Sequence, residues 1–354
     1  MDEMDLMKKL SDVPSPSPEA YNRARTALQT AMAEPAEPVG TVVRPKRWFS
    51  WPRATVAAVG VAAVAAAVVM ATTGGSVPTG PATQAAPPVA PPVVESPLVK
   101  LASEVKAAAT VQGDSSLVIG TKMPADLPSY TFYSVYTDKG QIFGGDSTKT
   151  LAASASKNDD QATPYHAKLM AAAREAANGD LEKARIAMIT AAHNVTGLGL
   201  SPAEADKAWA DAQAKIAEDF RKIGKPAPPA RPRPEGKELE NFRNNHLWSN
   251  ATSALFLGAA NADIRAGVLK LISTIPDTKV GTTEIDGQRA LTISTGPDIQ
   301  GGDASVVLTI NADNGLPILQ EIFPAPNSPT PSKPAKVTYK SSRVNLADVV
   351  AGKI

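Results

Sequence analysis

The sequence predicts an α+β protein built in a fixed order: a single transmembrane helix, a Pro-rich stalk, then an extracytoplasmic domain with helices packed on an antiparallel β-meander. Three observations carry this expectation. The run from Ala54 to Ala71 is eighteen residues without a charge. The stretch 74–97 holds seven prolines. Further on, the apolar period changes from 3.6 residues over 164–275 to two residues over 278–344, the change expected where helices give way to strands.

The hydrophobic run comes first because it decides where the rest works. Twenty helical residues, Ala54–Thr73, would span about 30 Å, the thickness of a bilayer hydrocarbon core. Six valines among many alanines favour insertion by only about 2–4 kcal/mol in total. A buried soluble helix would carry a polar stripe, and this run offers only Thr55 near one end. A cleaved signal would start nearer the N-terminus, although Val69-Met70-Ala71 fits a small-x-small cleavage pattern. The N-terminal flank, residues 44–53, holds Arg44, Lys46, Arg47 and Arg53 with Trp48, Phe49 and Trp51, whereas the next charge on the other side is Glu95. Cations on the inner side and aromatics at the interface place the N-terminus in the cytoplasm and the C-terminal domain outside the cell membrane. The bilayer is thus the expected partner of residues 54–73.

Residues 1–43 form a short cytoplasmic segment. Ser17 and Pro18 suit a helix start, and Ala20, Tyr21, Ala24, Leu28 and Met32 recur at three-to-four spacing. Tyr21, Ala24, Leu28 and Met32 are candidate contacts of a partner-binding helix, with a tail lying on the membrane as the alternative reading. After the anchor, 74–97 is extended and could hold the next domain up to about 70 Å from the bilayer at ~3.1 Å per residue.

The domain spans 98–354. "LVKLASEVKAAATV" reads as a short helix, and "SLVIGTKM" with "SYTFYSVYTDKGQIF" as strands. The helical block 164–275 opens with Thr163-Pro164, continues behind an Asp180 cap, and then shows Ser201, Pro202 and Glu204 as a capping box. In that third helix Ala205, Trp209, Ala212, Ile216, Phe220 and Ile223 form one apolar face ending at Gly224. A proline-rich loop with Arg231 and Arg233 follows, and two more helices, the last with Ile264, Val268, Leu271, Ile272 and Ile275 on one face. The region 278–344 reads as five alternating strands with Asp286-Gly287 and Asn314-Gly315 as hairpin turns, an antiparallel meander with the helices packed on one face. Between the last two, "PAPNSPTPSKP" reads as a flexible insertion.

Composition narrows the chemistry. The net charge is +1, which draws in no nucleic acid. The absence of cysteine removes disulfides, thiolate catalysis and cysteine metal sites. The three histidines, His166, His193 and His246, lack zinc-ligand spacing. No G-x-S-x-G elbow, phosphate loop or dinucleotide fingerprint occurs. Asp159-Asp160 and Glu238-x-Glu240 read as solvated loop and helix-start carboxylates, and His246 as a packing residue. Asn194 and Asn250 match the glycosylation acceptor pattern within helical sequence, where chance is the default. No cofactor or metal site is expected, and no catalytic residue is assigned.

"MDEMDLMKKLSDVPSPSPEAYNRARTAL", the cationic Trp-containing flank, the Ala/Val run and "ADIRAGVLKLISTIPDTKVGTTEIDGQRAL" together resemble an uncharacterised actinobacterial family of single-pass membrane proteins known by a locus-type name. The resemblance implies an anchored protein with an extracytoplasmic domain, in a family associated with extracytoplasmic-function sigma factors. "DNGLPILQE" is similar to the final strands of half-barrel sheets in lipoprotein carriers and sigma-regulator sensor domains. The cytoplasmic segment has no His-Cys-Cys motif of the zinc-containing anti-sigma domains.

The expected function is a non-enzymatic, membrane-anchored envelope protein whose outer domain binds an unknown envelope ligand or protein, in the manner of a signal sensor. One alternative is an anti-sigma-like transmembrane regulator that acts through residues 1–43 on a sigma factor. A second is a cell-envelope hydrolase, which would need a pocket gathering His166, His193 or His246 with Asp159 or Asp160.

Overall fold

The computed structural model describes residues 96–108, 111–328 and 331–354. The candidate residues Tyr21, Ala24, Leu28, Met32, Arg44, Lys46, Arg47, Trp48, Trp51 and Arg53 lie outside the described residues, as do the hydrophobic run and nearly all of the stalk. Among the described residues no helix is long and apolar enough to cross a membrane.

Helix α1 (Pro97–Ala107) opens the domain, with Leu98, Leu101, Ala102 and Val105 buried. Strands β1 (Ser115–Pro124), β2 (Tyr130–Thr137) and β3 (Ile142–Gly145) form a first meander. The helices come next: α2 (Thr148–Ser156), α3 (Pro164–Asn178), α4 (Leu181–Ile189), α5 (Pro202–Lys222), α6 (Gly236–Gly258) and α7 (Ala262–Ser273). A second meander follows, with β4 (Lys279–Ile285), β5 (Gln288–Thr295), β6 (Ala304–Asn311), β7 (Pro317–Pro324) and β8 (Ala335–Val344), and the chain ends after α8 (Leu346–Val350).

The five strands expected over 278–344 are all present. They belong to one eight-stranded antiparallel sheet in the order β3-β2-β1-β8-β7-β6-β5-β4. The two meanders meet in the middle, where β1 pairs β8 from Ser115 opposite Val344 to Pro124 opposite Ala335. The strands at the two ends of the domain sequence are therefore neighbours inside the sheet, and β3 and β4, which flank the helical block, are its edges.

Register sorts the side chains. Leu291 and Ile293 lie opposite Ile310 and Leu308, and all four join Tyr136 and Ile142 in the main core with α1, α3, α4, α6 and α7. The alternate residues Leu117, Val135 and Phe143 point to the other face. There they meet Leu151 and Ala155 of α2 and Val349 of α8. Helices thus cover both faces beside the first meander, a correction to the one-faced packing expected from the sequence. Helix α2 escaped the periodicity because TKTLAASAS carries a single large apolar residue, Leu151.

The alanine-rich stretch serves close packing. In α3, Ala172, Ala173, Ala176 and Ala177 are all buried, and α7 presents Gly267 to them. A Cβ on Gly267 would stand 1.7 Å from the Ala173 carbonyl oxygen, so only glycine permits this crossing. At the C-terminal end of α3 the Ala177 carbonyl accepts hydrogen bonds from Lys106 Nζ and Lys270 Nζ, each at 3.1 Å. Cations there complement the helix dipole.

Arg265 is buried on α7. Its Nε donates to the Asn314 carbonyl at 2.7 Å and its Nη1 to the Ala259 carbonyl, which pins the β6–β7 turn to the helical layer. Burial lowers its pKa to about 10, so it stays charged at neutral pH. Asp286 and Gly287 both have positive φ, as a type I′ turn requires. Asn314-Gly315 departs from that expectation: only Gly315 is left-handed, and the Asn311 side chain shapes the turn by accepting from Asp313 N and Asn314 N. The insertion before β8 is held at its ends rather than loose. The Asp303 carbonyl accepts from Ala325 N and Ser332 N, both at 3.0 Å, and its carboxylate accepts from Ser328 Oγ at 2.8 Å.

Candidate functional site: the α5 arm

Helix α5 starts where the sequence places it. Ser201 Oγ accepts from Glu204 N, and Glu204 Oε2 accepts in turn from Ser201 N at 3.0 Å. Twenty-one residues make a rod of about 31 Å. The rod ends at Gly224, whose φ of +70° suits the left-handed position after a helix, with Lys225 N donating to the Phe220 carbonyl at 3.0 Å.

The apolar face read from the sequence exists but is largely uncovered. Of its six residues only Ala205 is buried. Ile216 is 39% exposed and Ile223 64% exposed. Trp209, Ala212 and Phe220 are half-buried.

The proline-rich segment explains the partial cover. It runs back along the helix: Trp209 Nε1 donates to the Arg231 carbonyl at 2.7 Å, and Arg233 Nε donates to Asp206 Oδ1 at 2.8 Å. Lengths agree with this path. Fourteen helical steps from Ile223 back to Trp209 cover about 21 Å, and seven polyproline-like steps from Gly224 to Arg231 cover about 22 Å. The arm is therefore a helix with an extended strap clasped at its base, and the sequence reading of an inter-helix loop missed this second leg. The signal available was the match between strap length and helix length.

At the base the ring of Trp209 meets Phe242 edge-on, centroids 5.6 Å apart, and Phe242 meets His246 at 5.0 Å. Arg185, Arg233 and Arg243 gather here. Arg185 pairs with Glu182 at 3.2 Å and Arg233 with Asp206. Burial, then Arg233 and Arg185, push the Arg243 guanidinium below its ordinary pKa, with Glu240 opposing. Arg243 Nε, Arg231 Nη1 and Asn244 Oδ1 are buried without a hydrogen-bond partner among the described residues.

The tip has a different character. From Lys215 to Pro226 there are four cations, Lys215, Arg221, Lys222 and Lys225, against Glu218 and Asp219. Lys215 pairs with Asp219 at 3.7 Å and Lys222 with Glu218 at 2.5 Å. Arg221 and Lys225 make no ion pair among the described residues.

His166, Asp160 and His246 are held in structural contacts. His166 Nδ1 accepts from Thr163 N at 3.2 Å and caps α3; burial lowers its pKa and Asp160 opposes that shift. Asp160 Oδ1 accepts from Ile142 N and Ala162 N, tying β3 to the approach of α3. His246 is lowered by burial beside Phe242. His193 is exposed and lines an open cleft of about 360 Å³ with Tyr165 and Lys168. The Tyr165 hydroxyl donates to Asn250 Oδ1 at 2.8 Å, and Asn250 Nδ2 donates to the Met188 carbonyl at 2.7 Å. Asn250 is thus a buried strut, inaccessible to glycosylation, while Asn194, in the loop after α4, is engaged through both side-chain ends with Leu198. Among the described residues no group of three or more His, Asp or Glu could hold a metal ion.

Comparison of the chain with protein-family models, with curated proteins and with solved structures returned no match. The reading of the site therefore rests on its own geometry. What the geometry offers is a projecting amphipathic arm, apolar and basic at its tip and clasped at its base.

Proposed function

We propose that the chain is a non-enzymatic, membrane-anchored envelope protein whose outer α+β domain is a recognition module working through the α5 arm. The observation that supports this reading most is the exposure of Ile216 and Ile223 on an otherwise well-formed amphipathic helix. Leaving an apolar side chain such as these in water forgoes about 1.5–3 kcal/mol relative to full burial. Exposed apolar groups gathered on a projecting element mark interaction surfaces. A helix with anchors at i, i+4 and i+7 is the form in which helices enter apolar surroundings. The expected anchor at 54–73 and the stalk behind it would present such an arm at the outer face of the membrane.

The test uses the full chain, solubilised in mild detergent and mixed with separated envelope fractions: membranes, cell-wall material and envelope proteins. Retention on one fraction, cut about tenfold or more by Ile216→Ser/Ile223→Ser, is expected from losing two buried apolar contacts. Equal retention of both proteins, or retention of neither, would sink the proposal.

A further inference from the structure

We infer that the tip of the arm, residues 215–226, docks on an anionic lipid surface. The inference rests on the arm being the recognition element, as proposed above, and adds the identity of what it recognises.

Two features of the tip coincide. Ile216, Phe220 and Ile223 fall on one side of the helix by their spacing, and the outer two are the exposed ones. Beside them lies an excess of positive charge in a chain whose net charge is only +1. Both carboxylates of the tip are already paired, which leaves Arg221 and Lys225 as cations without a carboxylate among the described residues. Lys215 and Lys222 sit at the margin of the apolar stripe, where a long side chain can lay its stem on hydrocarbon and keep its ammonium in the headgroups. Apolar residues that enter the interface with flanking cations that meet anionic headgroups are the physical recipe for a surface-binding helix.

Charge also separates this occupant from the alternatives. A second copy would bring an identical basic tip against the first, and like charges facing each other oppose such a contact. An acidic protein would satisfy the charge. The lipid surface is favoured because the expected anchor and its stalk of about 70 Å would hold it permanently within reach, raising its effective concentration. The shape fits as well: the uncovered part of the stripe is the last two turns, about 21 Å beyond Trp209, so the tip can enter a surface while the body of the domain stays clear.

The chain has no cysteine, so a single introduced cysteine gives one labelling site. The full chain carrying Ile223→Cys with a nitroxide label is placed in nanodiscs of phosphatidylcholine alone, or of equal parts phosphatidylcholine and phosphatidylglycerol, and also in native envelope membranes. Collisions with oxygen, which partitions into lipid, are compared with collisions with a water-soluble nickel chelate. Ile216→Cys repeats the measurement at a second position, and Lys207→Cys, near the base, serves as the aqueous control.

In phosphatidylglycerol discs at low salt, labels at 223 and 216 should move from chelate-accessible to oxygen-accessible, and return at high salt or in phosphatidylcholine alone. With Arg221→Gln/Lys225→Gln added, the bound-to-free ratio should fall about thirtyfold, from the surface attraction of two cations. Labels shielded from both reagents in either lipid would mean burial against protein, a second copy included. That would overturn the lipid inference and keep the arm as an interface. Labels that stay chelate-accessible in every lipid and in native membranes would overturn both.

Discussion

Helices α7 and α5 carry the same kind of apolar stripe and meet opposite fates. In α7, eight of twelve residues are buried, Arg265 among them. In α5, one of twenty-one is. The difference is one of neighbours. Helix α7 lies against α1, α3 and α6, and its glycine lets α3 approach to backbone contact. Beyond Trp209, helix α5 is covered among the described residues by little more than the strap. Periodicity fixes which face of a helix is apolar; it does not fix whether that face is answered by the same chain.

This contrast can be broken experimentally, first at Gly267. Gly267→Val should destabilise the full chain by about 3 kcal/mol or more, measured by denaturant titration. Even Gly267→Ala should destabilise: the gain of about 1 kcal/mol in helix propensity is too small to offset a methyl forced against a backbone oxygen that no rotamer change can move. A stabilised alanine variant would mean that α3 and α7 do not cross as closely as described.

Next is Arg265. Arg265→Met keeps the volume and leaves the Asn314 and Ala259 carbonyls without their donors, at a cost of about 2 kcal/mol in the same titration. Faster amide exchange at Gly315 would locate the loss in the β6–β7 turn. Lysine should rescue only part of it, since one ammonium cannot reproduce a guanidinium's two directed bonds.

A smaller effect is expected on acidification. His246 and His166 both have pKa values lowered from 6.5 by burial. Below about pH 6.5 the unfolded chain takes up protons that the folded chain does not, so stability is level above that pH and falls below it. Thermal melts between about pH 7 and about pH 5 should show the fall, and His246→Gln should make it shallower. The same slope in that variant would mean that His246 is not protected from protonation.

The smallest effect belongs to the arm. Ile216→Ser/Ile223→Ser should change stability by no more than about 0.5 kcal/mol, because little apolar area is lost from a surface already in water. A cost above about 2 kcal/mol would place the stripe inside a packed interface and erase the contrast with α7.

Much of the fold was legible where the information is local. The Ser201–Glu204 box, the Asp180 cap, the Asp286-Gly287 turn and the period-two strands of the second meander depend on residues close in sequence, and each is present. The pairing of β1 with β8 was not legible, because it joins segments more than two hundred residues apart and no local pattern encodes a partner. Helix α2 was missed because its burial depends on α8, which arrives at the other end of the domain. Arg265 went unremarked, since a cation beside an apolar stripe ordinarily faces water, and only the tertiary fold supplies two carbonyls to receive it. For the candidate site, the stripe on α5 could be read from spacing, while its exposure and the returning strap could not.

The pairing of β1 with β8 has a consequence for how the domain comes into being. Strand β8 is synthesised more than two hundred residues after β1, and β1 has no partner on that side until it arrives. A nascent chain therefore carries an open hydrogen-bonding edge from the emergence of β1 until that of β8, the kind of edge that invites pairing with other chains. Closing a loop of this span is slow. A chain stopped after residue 334 should expose β1 amides to rapid hydrogen exchange and should aggregate, whereas arrival of β8 joins the two meanders into one sheet, so that single strand acts as the checkpoint for the domain's maturation.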